Sequence, residues 1–324
     1  LLLQAGRSTQ IPGGVTLDGA DFQATINDSG ASAPGREAGV AHFELLTGGT
    51  VSTQGGDITL SVGTFGSVQE GIISLDGGDL DAGGGDVALT GFAGQESGDN
   101  TFGVYVGGGS EIQTTGAGTI LLQGTGGDGA LHDAGVYIGE SALQTAAGSL
   151  DITGTGVGIY AVEVTLGAGV GGNVVIAADT DVAMAEDVAV STGHTLLLQA
   201  GRSIQISGGV TLDGADFQAT INNSGASAPD REAGMAYFNM LSGASVATQG
   251  GDITLNIGIF GSVQEGKMFL SGGHLDAGGG DITLTGLAGR ETGDSIFSVY
   301  IGGGSELQTS GSGTISLQGT GGNG

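Results

Sequence analysis

Gly56-Asp57-Ile58-Thr59-Leu60 is followed by Gly85-Asp86-Val87-Ala88-Leu89, Gly118-Thr119-Ile120-Leu121-Leu122 and Gly148-Ser149-Leu150-Asp151-Ile152. Each block runs glycine, polar, β-former, any residue, β-former, the period-two pattern of a strand with one buried side. The series continues at Gly172-Asn173-Val174-Val175-Ile176 and Leu196-Leu197-Leu198; from Ile58 the steps are 29, 33, 30, 24 and 22 residues. Strands of fixed form that return at such spacing are the mark of a stacked repeat architecture.

Two further markers sit between the blocks. Val104-Tyr105-Val106, Val136-Tyr137-Ile138 and Ile159-Tyr160-Ala161 precede the next block by 15, 13 and 14 residues, counted from Tyr105 to Ile120, Tyr137 to Leu150 and Tyr160 to Val174. A third short strand follows each of the first two, as Glu111-Ile112-Gln113-Thr114 and Ala142-Leu143-Gln144-Thr145. Three alternating strands per turn, joined by glycine corners that accept positive φ or close backbone approach, predict an all-β chain. The expected form is a right-handed parallel β-helix, a β-solenoid.

A larger repeat encloses the small one. LLLQAGRSTQIPGGVTLDGADFQATIN at 1–27 returns as LLLQAGRSIQISGGVTLDGADFQATIN at 196–222, and residues 1–129 align without a gap on 196–324. Of the 129 aligned positions 34 differ, leaving 95 identical at an offset of 195 residues. With earlier blocks at Leu1 and Phe22, 195 residues divide into seven coils of about 28 residues each. The expected organisation is one continuous β-solenoid segment over 1–324, with 1–195 as the first large tandem repeat and 196–324 as a partial second. Its first partners are then further coils of the same array. Leu1-Leu2-Leu3 opens inside a strand-like block, so the chain reads as an excerpt, and the lack of a signal peptide says nothing of localisation.

Composition narrows the class. The chain has 72 glycines but 3 prolines and no Gly-X-Y period, which excludes collagen. Its 38% hydrophobic content falls in regular blocks, which argues against disorder. With 34 acidic against 6 basic residues, a formal charge of −28, it would repel nucleic acid and anionic lipid. No apolar run approaches the ~18–20 residues of a membrane helix. Zero cysteines leave no disulfide and no oxidisable thiol, which is compatible with export.

The wording GVYVGGGSEIQTTGAGTILLQGTGG at 103–127, and GVYIGESALQTAAGSLDITGTG at 135–156, resembles the repeats of filamentous-haemagglutinin-like bacterial surface proteins. The resemblance covers essentially the whole chain and rests on coil consensus rather than site motifs. It implies a non-catalytic role as a structural and adhesive segment of a large secreted protein at the bacterial cell surface. Cell-surface or carbohydrate contact and lateral self-association into filaments are the contacts it suggests.

Several side-chain sets could carry chemistry. A β-helical polysaccharide lyase or glycosidase is the rival reading, and it needs a base beside paired acids. The bases are Arg7, Arg36, Arg202, Arg231, Arg290 and Lys267, of which Arg7/Arg202 and Arg36/Arg231 are repeat equivalents and read as solvated charges copied with the rest. His42, His132, His194 and His274 share no metal-ligand spacing. Calcium is the one cofactor considered: Asp57 and Asp86, like Asp252 and Asp281, occupy the same place in adjacent coils, where a hard cation would relieve stacked charge. The nonapeptide calcium repeat is missing from GGDLDAGGGDVAL, so the expectation is solvated corner aspartates and no cofactor. Thr-x-Thr rows of an ice-binding face are not sustained at Thr53-Gln54 or Gln113-Thr114-Thr115. The insertion at 27–37, recurring at 222–232, is expected to bulge as a loop and contains an Asn27-Asp28-Ser29 acceptor pattern.

The candidate contact residues are Tyr105, Tyr137, Tyr160, Tyr237 and Tyr300, read as a ladder at one strand position. If Val104 and Val106 face inward, the rings face out. Lys267, placed at the Val104-equivalent position beside Met268, argues locally for the opposite register. The copies differ at six of ten positions over 41–50 and five of ten over 71–80, but at one over 51–60. Tolerated change concentrates on exposed residues, so this strand's outer face is the expected contact surface.

Because each coil buries its apolar side only against neighbours, stability should grow with coil number. A two-coil fragment is expected to show no cooperative melt by circular dichroism, and a seven-coil fragment to show one; equal melting temperatures would contradict the reading.

Overall fold

The computed structural model describes residues 1–26, 41–63, 71–93, 101–126, 134–155, 158–169, 173–178, 181–185, 187–192, 195–221, 236–257, 266–288 and 297–321. Among them the chain is all-β, with no helical residue. It divides into two compact units, 1–172 and 173–324.

In the first unit the Gly-polar-β blocks form one parallel ladder: Leu2–Ala5, Phe22–Ile26, Ile58–Val62, Val87–Phe92, Ile120–Thr125 and Leu150–Thr155. Its register steps one full repeat at a time, Phe22 on Ile58, Ile58 on Val87, Val87 on Ile120 and Ile120 on Leu150. A second ladder holds Ser8–Ile11, His42–Leu46, Ile72–Asp76, Val104–Gly107 and the start of Val136–Gln144. A third, shorter ladder holds Gly14–Thr16, Thr50–Ser52, Asp79–Asp81, Glu111–Gln113 and the end of Val136–Gln144. The second unit repeats the scheme. Its first ladder is Val174–Ala178, Leu196–Ala200, Phe217–Ile221, Ile253–Ile257, Ile282–Leu287 and Ile315–Thr320. All these pairings are parallel, so each strand needs a crossover before the chain returns beside it.

Alternation does what the sequence pattern requires. In Ile58–Val62 the residues Ile58, Leu60 and Val62 are buried while Thr59 and Ser61 are half-exposed, and Val87, Leu89, Ile120 and Leu122 stack on the same inward rows. Phe22 of the first ladder meets Phe43 of the second edge to face, with ring centroids 6.5 Å apart, a favoured aromatic geometry. Phe217 and Phe238 are their buried equivalents.

Glycine is demanded where ladders converge. A Cβ on Gly91 would land on the Gly103 carbonyl oxygen, and one on Gly124 on that of Gly135. The inward row therefore ends in glycine at the corner between the first and second ladders, in Thr90-Gly91 and again in Gln123-Gly124. At another corner Gln54 and Gln249 adopt φ of 53° and 54°. There the buried Thr53 hydroxyl donates to the Gly56 carbonyl and that of Thr248 to Gly251, which holds the tight turn.

The inward and outward rows should separate cleanly in stability. Phe43→Ala is expected to cost about 3–5 kcal/mol through lost burial and a cavity, and Thr59→Ala on the outer face no more than about 1 kcal/mol. Denaturant melts check both.

Candidate functional site

The second ladder carries the tyrosines. Val104 and Val106 are buried and Tyr105 between them is half-exposed; Tyr137 sits likewise between Val136 and Ile138. The rings therefore lie on the outer face. Tyr105 is in register with Tyr137, and Tyr137 with Tyr160, whose side chain lies outside the described residues. The Tyr105 and Tyr137 rings stack with centroids 5.2 Å apart and planes 8° apart, and Phe102 packs 4.9 Å from Tyr137 and 5.8 Å from Tyr105.

Local sequence sets that geometry. Each ring leans along its strand over a glycine two positions on: Gly107 under the Tyr105 hydroxyl, Gly139 under Tyr137 and Gly302 under Tyr300. A Cβ there would push the ring off, so Tyr-x-Gly is a seat for a reclining aromatic. In the second unit Tyr300 is 40% exposed and Phe297 50%, and Phe269 packs 6.2 Å from Tyr300.

Two placements differ from the sequence expectation. Tyr237 pairs with Ser203 and Lys267, whereas the Tyr300 column runs through Phe269 and Asn239. Tyr237 thus stands two residues upstream on the same outer face, outside the ladder. Lys267 does not occupy the Val104-equivalent position; Met268 does, pairing with Val299 and fully buried. Lys267 faces outward beside Tyr237, so no local reversal of register exists.

The stacked aspartates have a structural task. Asp21 Oδ1 accepts the Asp57 N–H at 3.0 Å, Asp57 Oδ1 the Asp86 N–H at 2.9 Å, and Asp86 Oδ1 the Thr119 N–H at 2.7 Å. The second unit repeats this from Asp216 to Asp252, Asp281 and Thr314. Each carboxylate extends the pairing one residue before the strand begins, in place of a carbonyl. Sequence reasoning saw the stacking but missed this role, although an aspartate directly before the blocks at Phe22, Ile58 and Val87, and again at Phe217, Ile253 and Ile282, was its signal. Among the described residues no three His, Cys, Asp or Glu side chains gather as a metal-binding group.

The remaining candidates scatter. His42 and His274 are half-exposed on the second and third ladders, and His274 Nδ1 lies 3.5 Å from Glu306 Oε2. Arg202 pairs with Asp181 through two nitrogens. Arg36, Arg231, Arg290, His132, His194 and the insertions at 27–37 and 222–232 lie outside the described residues. A shallow groove on the first ladder is lined by Thr90, Phe92, Gln123, Thr125 and Thr153, with neither acid nor base.

Comparison with protein-family models, curated proteins and solved structures finds no match for this chain. The resemblance to filamentous-haemagglutinin-like proteins therefore rests on the repeat wording itself.

Tyr105 is electrostatically marked. Partial burial, then the Asp76 carboxylate, the Tyr137 hydroxyl and the Glu140 carboxylate, hold its phenol above the usual value of 10.0. The fold favours the neutral form, so this contribution to stability is complete below about pH 10 and is lost as pH rises through the higher folded-state value. Tyrosinate absorbance should show a late-titrating component that shrinks in Tyr105→Phe and titrates earlier in Asp76→Asn.

Proposed function

We propose that this chain is a stretch of right-handed parallel β-helix, about 28 residues per coil and seven coils per 195-residue repeat. In this reading it serves as a structural and adhesive segment of a secreted bacterial surface fibre related to the filamentous-haemagglutinin-like proteins. It acts by display, contact or filament assembly rather than by catalysis. The parallel ladders support the coil reading, and right-handedness follows the strong chirality preference of parallel crossovers.

The observation that carries the function is the in-register repetition of outward side chains. Gln10, Glu44, Ser74, Tyr105 and Tyr137 form one outward column on successive strands. A scaffold that fixes inward rows for packing leaves such columns free to vary, and presents them as an extended surface. The acidic balance of 34 to 6 keeps that surface soluble and disfavours nucleic acid and anionic membranes as partners.

Beads coated with the 324-residue chain are expected to be retained on epithelial cells or on an immobilised glycan panel, above albumin-coated beads. Replacing Tyr105, Tyr137 and Tyr160 with serine should reduce retention while circular dichroism shows the chain still folded. Retention no better than albumin on every surface would remove the adhesive half of the reading.

A further inference from the structure

The two copies of the large repeat diverge most on one outward patch, and the divergence is chemically concerted. In the first unit Glu44, Ser74 and Tyr105 are successive members of one column, and Asp76 lies two residues beyond Ser74 on the same strand. The equivalent positions in the second unit are Asn239, Phe269, Tyr300 and Ser271. Neither carboxylate is present there, and the small residue between the Glu44 position and the ring is a phenylalanine that packs against Tyr300. Nearby, Ile72 becomes Lys267 and Asp79 becomes His274. By contrast, the inward changes on these strands, Leu45 to Met240, Ile73 to Met268 and Val106 to Ile301, all keep the position apolar.

Among the described residues of the first unit this arrangement leaves a one-strand gap. Tyr137 stacks on one side of Tyr105, and on the other the next side chain is only a serine. Beyond it, at about twice the ~4.8 Å strand spacing, stands Glu44, which accepts a hydrogen bond from Gln10 Nε2 at 3.0 Å. Asp76 is exposed at the edge of the gap, beside Gly107 and Gly108. One wall is thus an aromatic face, the opposite wall and the rim are carboxylates, and the floor is a small polar side chain. A planar cation satisfies all three: it stacks within ~6 Å of a ring centroid and donates in-plane to carboxylates.

We propose that this gap over Ser74, walled by Tyr105, Glu44 and Asp76, is a docking slot for an arginine side chain of a basic partner protein. The proposal deepens the surface-contact reading and rests on it. The slot belongs to the first unit, and the second unit, with Phe269 in the gap and neither carboxylate, is its natural blank. The chain's charge of −28 draws basic partners toward it, and the slot decides where on the surface the guanidinium settles. The raised phenol of Tyr105 is consistent with carboxylate close to the ring.

The test uses the full chain with carbon-13-labelled tyrosine, whose five rings report separately, and a tetra-arginine peptide with its uncharged citrulline counterpart. Tyr105 should shift saturably with tetra-arginine, Tyr300 should not, and citrulline should move neither. The decisive variant carries Glu44→Asn, Ser74→Phe and Asp76→Ser, the residues that the second unit already folds with. It should retain the parent melting temperature and weaken tetra-arginine binding by about tenfold, the effect of losing a stacked, paired cation. Equal non-saturating shifts of all rings would mean diffuse attraction and overturn the slot, as would unchanged affinity in the variant. If the free chain is already dimeric and Lys267→Met makes it monomeric, the occupant is a second copy and the arginine assignment falls. Bead retention unaffected by the triple variant would overturn the slot's part in contact while leaving the adhesive reading intact.

Discussion

The peptide hydrogen bonds that join each strand to the strand one repeat later set everything else in the structure. Parallel pairing in register places each residue beside its counterpart, so Ile58, Val87, Ile120 and Leu150 form one buried row. Such a row packs well when its members are apolar β-formers, and most inward positions are accordingly Val, Ile, Leu or Phe, with alanine facing larger neighbours as Ala24 faces Leu60. The corners then inherit the remaining constraint. They must turn within a few residues and keep adjacent ladders close, and Gly91 and Gly124 mark where any side chain would meet a carbonyl.

Placing like on like is favourable for apolar rows and awkward for charged ones, and the aspartates show how the conflict is resolved. Asp57 and Asp86 stack, yet each directs Oδ1 at the backbone N–H of the next repeat, so the carboxylate acts as a pairing group. A hydrogen bond to the charged form offsets part of the repulsion between neighbours. The buried threonines make the complementary bond from inside: Thr53, Thr114 and Thr145 donate to the carbonyls of Gly56, Gly118 and Gly148. Strand ends, corners and ladders are therefore one continuous hydrogen-bond system, with side chains substituting where the backbone bends away.

Much of the architecture was legible because alternation and repetition are one-dimensional signals. The Gly-polar-β blocks, the third short strand and the outward tyrosines of the first unit could all be read by spacing. Register at single-residue precision could not. His42 stands 16 residues before Ile58, close to the 15 from Tyr105 to Ile120, yet the column of Tyr105 passes through Ser74 and Glu44 instead. Corners vary in length from one repeat to the next, so counting back from a block slips by a residue or two. A slip of one residue exchanges inside for outside, and counting of that kind puts Lys267 in the inward place that Met268 holds. The aspartate ladder was invisible for a different reason, since a composition of Gly-Asp reads as solvated turn until the partner N–H is located.

The comparison of the two copies turns this scaffold logic into information about the surface. Positions that face inward on the second ladder became or stayed apolar, as Thr9 to Ile204, Leu45 to Met240, Ile73 to Met268 and Val106 to Ile301; methionine is the side chain that adapts most readily to an existing core. Outward positions changed their chemistry altogether: Glu44 to Asn239, Ser74 to Phe269, Asp76 to Ser271 and Asp79 to His274. Core packing does not dictate these, because an exposed or half-exposed position tolerates any of them at similar cost. Yet Tyr105 and Tyr300, with the glycines beneath their rings, stayed the same through 34 substitutions in 129 positions. The constant ring and the altered surround are what one frame carrying two differently charged aromatic surfaces requires, and on the second ladder they place the change of chemistry on its outer face.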